Sequence, residues 1–136
     1  MSIKELEEKC TEKGIDHKFL GRQLVQKKTC MTKDVGVHGN LFGGNLLSWI
    51  DEAAAGFISE MINFRPVVTL KISEVLFQEP VKVNDVVNID VLIVSIGNSS
   101  IKVLVEVLNL KSKRTVCTCE MTFVHVDPET MKSKKI

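Results

Sequence analysis

The sequence predicts an α+β fold in which an antiparallel sheet packs against one long central helix. Residues 43–63 form a helical stretch whose apolar arc is too wide for a surface helix, so the helix must be enclosed. The chain after it divides into runs of alternating hydrophobicity separated by turn signals, which is typical of antiparallel strands. With 136 residues, 44% of them hydrophobic and 26% charged, the chain suits one domain with one core.

Two weaker elements are predicted ahead of the central helix. Residues 3–13 have the spacing of a short amphipathic helix, and Gly14 is its stop signal. Residues 18–31 form a weak strand whose alternation is broken at Gly21. A loop over 33–39 then leads into the central helix.

The central helix is predicted to run from Gly43 to Asn63, with Pro66 as its stop. Small residues at 53–56 give it a narrow waist, which lets a sheet or a second helix approach closely. A single sheet wrapped on such a helix leaves an edge strand and apolar surface to cover. Oligomerisation is the simplest remedy.

The strands after the helix are expected to form a meander of four, with the strand before the helix as a fifth. Glu74 lies where the alternation changes phase, which predicts a β-bulge. Gly97 and Asn98 form a strong hairpin signal. The predicted strands are residues 67–78, 86–96, 100–110 and 115–126. The polar, basic tail over 127–136 is expected to be loose.

Charge and cysteine usage exclude several function classes. A net charge of +1 gives no footprint for nucleic acid or for a membrane surface, and no apolar run is long enough to span a bilayer. The charge-rich N-terminus does not resemble a signal peptide. Cys10, Cys30, Cys117 and Cys119 lack zinc-site spacing, so we expect no metal and reduced thiols in a cytoplasmic protein.

Asp51 is an acid on the apolar face of the central helix. Leu47, Ala54 and Ile58 lie at helical spacings from it, so a carboxylate here is expected to lose hydration. Two interpretations remain open: a buried acid paired with a lysine or backbone N–H, or a functional acid. Glu52 is the competing acid and is expected to be the more solvated of the two.

The start of the central helix is a second candidate feature. Free backbone N–H groups at Gly43 and Gly44 suit a developing oxyanion, although glycines here also serve a simple helix-entry turn. Asn40, just before them, is paired with Asp51 as the leading candidate. Because Asp51 lies eight residues past Gly43, about 12 Å along the helix axis, one carbonyl cannot touch both within a subunit. If both act on one substrate, two subunits must pack with their helices antiparallel.

The histidines and the phosphate-binding motifs are less informative. His38 is either a base or a turn residue beside a glycine, while His125 is expected in a core or interface and His17 on the surface. The sequence has no Gly-x-Ser-x-Gly elbow, no Walker A loop and no dinucleotide fingerprint.

The run from His38 to Glu52 resembles the acyl-CoA thioester hydrolases of the hotdog fold, of the short-acyl bacterial type. Further segments fall at that family's order and spacing, namely residues 65–69, 77–81, 84–86 and 97–101. The resemblance covers about residues 18–127, within a single hotdog domain over 1–136. Motifs of other hotdog enzymes are absent: the dehydratases' His-Phe-x-x-x-Pro and the hydroxybenzoyl-type Asp before Gly-His-x-Asn.

The resemblance implies hydrolysis of an acyl-CoA to a free carboxylic acid and CoA. It implies a sheet curled around the long helix, a homodimer with continuous sheets as the minimal unit, and a trimer of dimers as a common assembly. No cofactor is implied, since CoA is part of the substrate.

The resemblance also assigns the site. Asp51 matches the catalytic carboxylate, which activates water or attacks the thioester, and Asn40 orients water or substrate from the partner subunit. Gly43 and Gly44 polarise the carbonyl, with His38 beside them as a substrate contact. The implied CoA contacts are Val68, Thr69, Gly97, Ser99 and Ser100. Asn98 stands where many relatives carry Arg.

Two functions without turnover remain as alternatives: an acyl-CoA-binding sensor or regulatory module, and a structural oligomerisation module. The preferred acyl length is not encoded in any local pattern.

Overall fold

The computed structural model describes residues 1–136, which form two α-helices and one antiparallel sheet. The elements are α1 (Ile3–Lys13), β1 (Gln23–Thr29), α2 (Gly43–Met61), β2 (Val67–Phe77), β3 (Val86–Ile96), β4 (Ser100–Asn109) and β5 (Arg114–His125). The strands are ordered β1-β3-β4-β5-β2. The predicted α+β fold, a sheet around one long helix, is confirmed.

Helix α1 matches its predicted bounds because both of its ends are capped. The Ser2 hydroxyl accepts from the Glu5 backbone N–H at 3.1 Å, and the Glu5 carboxylate accepts from the Ser2 N–H at 3.2 Å. Gly14 closes the helix with a left-handed φ of 70°. Leu6 and Cys10 attach the helix to the core.

Helix α2 is enclosed, as predicted, but it ends earlier. Its buried residues are Leu46, Trp49, Ile50, Ala53, Ala54, Phe57, Ile58 and Met61. The helix ends at Met61 rather than Asn63, because Asn63 and Phe64 adopt positive φ values of 57° and 60°. The stop is therefore this left-handed pair, and Pro66 only follows it.

The order of the sheet corrects the predicted meander. Strands β3, β4 and β5 do form a meander through the two predicted hairpins, but β2 pairs with β5 and β1 pairs with β3. The connection over residues 78–85 is not a hairpin: these eight residues can reach about 27 Å, which is enough to pass two intervening strands. A hairpin is encoded by a few adjacent turn residues. The pairing of β2 with β5 joins strands that are far apart in the sequence, so no adjacent residues encode it.

Strand β2 is an edge strand with several exposed apolar side chains. Glu74 has a φ of 53° and the pairing register shifts between Ser73 and Leu76, so the predicted bulge is confirmed. Leu70, Leu76 and Phe77 are 67%, 55% and 55% exposed. The opposite edge strand, β1, exposes only one large apolar side chain, so β2 is the edge that needs a partner.

The tail is ordered, and the prediction of a loose tail is wrong. Val126 forms a bridge with Ser133, and Ile136 is buried in the core. The Ile136 N–H donates to the Asn98 carbonyl at 3.0 Å, and His125 Nδ1 lies 3.0 Å from the Lys134 carbonyl oxygen. The burial of Ile136 holds the tail in place. The sequence could not predict this, because a short segment with one buried apolar residue has no hydrophobic periodicity.

The remaining sequence expectations concern thiols, histidines and membranes. All four cysteines are free and buried. His125 is buried and His17 is exposed, as predicted. Neither helix has the length and hydropathy that a membrane crossing requires.

Candidate active site

The entry to α2 is held in place by Asp34, a buried acid that the sequence did not single out. Its carboxylate accepts from the Met31 N–H at 2.8 Å. Its backbone carbonyl accepts from the Phe42 N–H at 3.1 Å and from the Asn45 side-chain amide at 2.9 Å. These bonds fix the loop before the helix, and with it the direction of the first helical N–H groups.

The N–H groups of Gly43 and Gly44 donate no hydrogen bond within the chain. The first helical bonds are made by Asn45 and Leu46, both to the Phe42 carbonyl, and no side chain caps this end. Two donors with the positive end of the helix dipole behind them therefore remain available for an anion. A Cβ on Gly44 would lie 3.0 Å from the Phe42 ring, so glycine keeps this approach open.

Asn40 presents an unsatisfied polar atom. Its backbone pairs with Lys82 and its carbonyl accepts from Gly36 at 2.8 Å, so the residue is fixed. Its side-chain Oδ1 is buried and has no hydrogen-bond partner. Buried polar atoms in folded proteins are nearly always satisfied, so this atom points to a donor from outside the chain.

Asn40 and Gly43 line one cleft beside the end of β2. Leu46, Phe77 and Pro80 contribute to the same cleft, which has a volume of about 370 Å³. Its apolar walls reduce the access of water to the two free N–H groups, which strengthens their interaction with a negative charge.

Asp51 is held by β2. Its Oδ1 accepts a 2.6 Å hydrogen bond from the Thr69 hydroxyl, and the residue is half-buried. Asp51 takes part in none of the five ion pairs, so it is not an acid neutralised by an internal lysine. Glu52, the competing acid, is exposed, as predicted.

The structure does not bring Asn40 and Asp51 together within one chain. Asn40 and Gly43 lie by the end of β2, where a Cβ on Gly43 would touch the Phe77 ring at 3.5 Å. Asp51 lies by its start, at Thr69. Thr69 and Phe77 are six ladder steps apart on the facing strand, or about 20 Å.

The predicted CoA contacts lie together at one end of the sheet. Val68 and Ser100 are both paired with Val124, from opposite sides, so they are two strand spacings or about 10 Å apart. Gly97 and Ser99 lie in the turn that leads into Ser100. Thr69, next to Val68, also donates its hydroxyl to Asp51.

His38 is exposed on the loop before α2. It forms no side-chain hydrogen bond, and the following Gly39 has a left-handed φ of 73°. It is two residues from Asn40 in the chain but does not line the cleft that Asn40 and Gly43 share.

Three basic residues lie near the predicted CoA contacts, and of these the sequence suggested only the basic tail, which holds Lys135, as a substitute for the arginine missing at Asn98. Lys13, at the end of α1, contacts the turn between β3 and β4. Arg65, before β2, and Lys135, in the tail, lie close enough for their charges to act on Lys13. Nothing local links residues so far apart in sequence, so no sequence pattern could have shown that they come close together.

No metal centre is present among the side chains. No group of three or more His, Cys, Asp or Glu residues is placed to hold an ion.

Comparison with known proteins identifies one consistent set of relatives. Residues 38–117 match the thioesterase superfamily. A Buchnera aphidicola protein named as an acyl-CoA thioester hydrolase is 33% identical over 119 residues, which cover 83% of this chain and 87% of that protein.

Two solved structures are similar over most of the chain. A hexameric thioesterase from Yersinia pestis has a TM-score of 0.77 at 31% identity, covering 84% of this chain and 94% of the other. An acyl-CoA hydrolase from Staphylococcus aureus, solved with butyryl-CoA and CoA, has a TM-score of 0.72 at 27% identity, covering 84% and 68%. That hydrolase has also been solved as aspartate-to-alanine and asparagine-to-alanine mutants.

Proposed function

Because the chain belongs to the thioesterase superfamily, we propose that it hydrolyses acyl-CoA to a free carboxylic acid and CoA at a site shared by two subunits. The chain is a hotdog-fold thioester hydrolase. Relatives named as hydrolases favour turnover over a non-catalytic sensor. We treat residues 1–136 as one such domain.

The edge strand β2 carries the argument for a shared site. If β2 of two subunits pair antiparallel about a two-fold axis near Ser73, Thr69 of one strand lies opposite Phe77 of the other. Thr69 holds Asp51, whereas Phe77 lies beside Gly43 and the neighbouring Asn40. The pairing therefore places Asp51 of one subunit beside Asn40 and Gly43 of its partner, and it covers the exposed leucines of β2.

This arrangement supplies what thioester hydrolysis needs. Asp51 either takes a proton from water that adds to the carbonyl carbon, or attacks that carbon itself and is then released by water. In both routes the C–S bond breaks, and the CoA thiolate leaves and takes up a proton. The Thr69 hydroxyl keeps one carboxylate oxygen in place, which leaves the second oxygen for the reaction.

The partner's groups stabilise the charge that develops. The N–H groups of Gly43 and Gly44 donate to the carbonyl oxygen as it becomes negative, which lowers the barrier. Asn40, with His38 at the margin, orients the water or the substrate. Val68, Gly97, Ser99 and Ser100 line the path from Asp51 along the CoA arm.

The same proposal includes an oligomeric state, the absence of a cofactor and a cellular compartment. The dimer is the minimal active unit, and a trimer of dimers agrees with relatives described as hexameric. No cofactor is required, because a thioester is already activated towards a carboxylate, water and oxyanion donors. Four free, buried cysteines agree with the reducing cytoplasm.

The observation that carries the proposal is the 2.6 Å bond between Thr69 and Asp51, because it holds an unpaired acid at the edge where a second subunit can dock. The test measures thiol release from acetyl-, butyryl- and palmitoyl-CoA. We expect Asp51→Asn to lose most turnover, roughly a hundredfold or more, while still binding CoA. Asn40→Ala should lose less. Unchanged turnover in Asp51→Asn would remove this acid from the mechanism.

A further inference from the structure

Basic residues from three distant segments lie near the turn between β3 and β4. Lys13 Nζ, on the last turn of α1, donates to the Asn98 carbonyl at 3.2 Å. The same oxygen accepts from the Ile136 N–H at 3.0 Å, which fixes Lys135 next to it. Arg65 lies just before β2, where its Nε donates to the Ile62 carbonyl at 2.8 Å.

These three residues, the basic cluster, have no acidic partner. Lys13, Arg65 and Lys135 are absent from all five ion pairs. The nearest acid, Glu12, is paired with Lys9 at 3.6 Å. None of the three is therefore held in an ion pair, although the charge of Glu12 acts on Lys13.

The donors of the cluster are also largely unused. The two terminal nitrogens of Arg65 make no hydrogen bond, and Lys135 Nζ makes none. Lys13 Nζ uses one of its three hydrogens, on a neutral carbonyl. A guanidinium fork with two ammonium groups beside it is the donor set that suits phosphoryl oxygens.

The pKa of Lys13 is lowered mainly by burial, and the neighbouring basic residues act in the same direction. Burial lowers the pKa of the Lys13 ammonium, and Glu12 offsets part of that effect. The charges of Lys9, Lys135 and Arg65 lower the pKa further. An anion bound here would relieve the repulsion, so binding and charging of Lys13 would support each other.

The cluster adjoins the CoA contacts. Asn98 sits between Gly97 and Ser99, and Arg65 stands three residues before Val68 in the chain. Thr69, which holds Asp51, is next to Val68 on β2. Val68 lies across β5 from Ser100, about 10 Å away, and Ser100 is two residues from Asn98. An extended pantetheine arm spans such a distance, so the nucleotide end of a CoA thioester would arrive here.

We propose that Lys13, Arg65 and Lys135 form an anion site that binds phosphoryl groups at the nucleotide end of a CoA thioester. The proposal rests on the proposed function for the identity of its ligand. It assigns substrate affinity to two segments, α1 and the tail, that lie outside the region matched to the superfamily.

The test compares the double variant Lys13→Gln/Lys135→Gln with wild type in calorimetric binding of CoA, dephospho-CoA and pantetheine. We expect CoA to bind roughly tenfold more weakly to the variant, and pantetheine to bind equally to both. If the effect is lost with dephospho-CoA, the cluster holds the 3′-phosphate. If it persists, the cluster holds the diphosphate.

Two controls separate charge from structure. Lys4→Gln/Lys111→Gln removes the same charge from exposed positions, one on α1 and one at the opposite end of the β4–β5 hairpin, and should bind CoA like wild type. Lys13→Arg/Lys135→Arg keeps the charge and should retain affinity. Unchanged CoA affinity in the glutamine variant, or an equal loss for pantetheine or for the Lys4/Lys111 control, would overturn the proposal.

The two proposals fail separately. Binding is measured without turnover, so cluster-dependent CoA binding with no thiol release would refute hydrolysis and keep the anion site. If the protein hydrolyses acyl-CoA but the glutamine variant binds CoA with unchanged affinity, hydrolysis stands and the anion site is refuted. In the active enzyme, the variant should raise KM for acyl-CoA and leave kcat unchanged.

Discussion

Among single residues, Thr69 has the contact that most directly affects the proposed chemistry. We expect Thr69→Val to lower kcat about tenfold, because a hydrogen bond to a charged group contributes about 1.5–3 kcal/mol and here fixes the reacting carboxylate. Thr69→Ser keeps the hydroxyl and should keep most of kcat. Steady-state kinetics with butyryl-CoA decides this. Equal kcat in the valine variant and wild type would mean that the 2.6 Å bond does not orient Asp51.

The buried thiols give a second prediction for single residues. Burial raises the pKa of Cys117 to about 11 and that of Cys119 to about 12. The native fold therefore holds these protons more tightly than the unfolded chain, so their contribution to stability is lost as the pH rises from about 9 towards 12. A thiol reagent at pH 8 should leave all four cysteines unmodified in the native protein and modify four after denaturation. Rapid labelling of the native protein would contradict this.

For single residues, the sequence identified Asp51 as a candidate but not the residues that surround it. Asp51 was found because a carboxylate interrupts an apolar helical face, and the glycines were found because they open a helix. The bond from Thr69 and the anchoring role of Asp34 depend on strands and loops that meet only in the folded chain. No spacing rule connects residues 51 and 69.

Among the elements, β2 is the one whose exposed side requires a partner. We expect Leu70→Lys/Leu76→Lys to shift the protein from dimer or larger to monomer, because two exposed leucines would be replaced by like charges facing each other across the two-fold. The same variant should lose activity, since its site would be incomplete. Light scattering after size-exclusion chromatography measures the mass.

The matched control is Leu24→Lys on the other edge strand, where the side chain is 56% exposed. It should leave mass and activity unchanged. An active double variant of wild-type mass would show that β2 is not the dimer edge.

Helices and strands were predicted well where their signals are local. The Gly14 stop of α1, the apolar face of α2, the bulge at Glu74 and both hairpins each depend on a few adjacent residues. The partner of β2 was predicted wrongly, because pairing across residues 78–85 is set by the packing of the whole sheet. The end of α2 was misplaced because left-handed Asn63 and Phe64 have no strong sequence signature.

For the whole molecule, the distance along α2 between its first residues and Asp51 already required two subunits if Asn40 and Asp51 act on one substrate. The sequence could not identify which edge joins them. The structure adds that β2 has Asp51 by its start and Asn40 by its end. It also adds an ordered tail, which closes over the turn at Asn98 and brings Lys135 to the basic cluster.

Subunit mixing tests the shared site most directly. The Asp51→Asn and Asn40→Ala variants are purified separately and their residual activities are measured, and the two are then dissociated and reassociated in equal amounts. If each site takes Asp51 from one subunit and Asn40 from the other, half of the dimers are mixed and one of their two sites is intact. We therefore predict recovery of roughly a quarter of wild-type activity. If both residues act within one subunit, every site keeps a defect, and a mixture no more active than the separate variants would contradict the account.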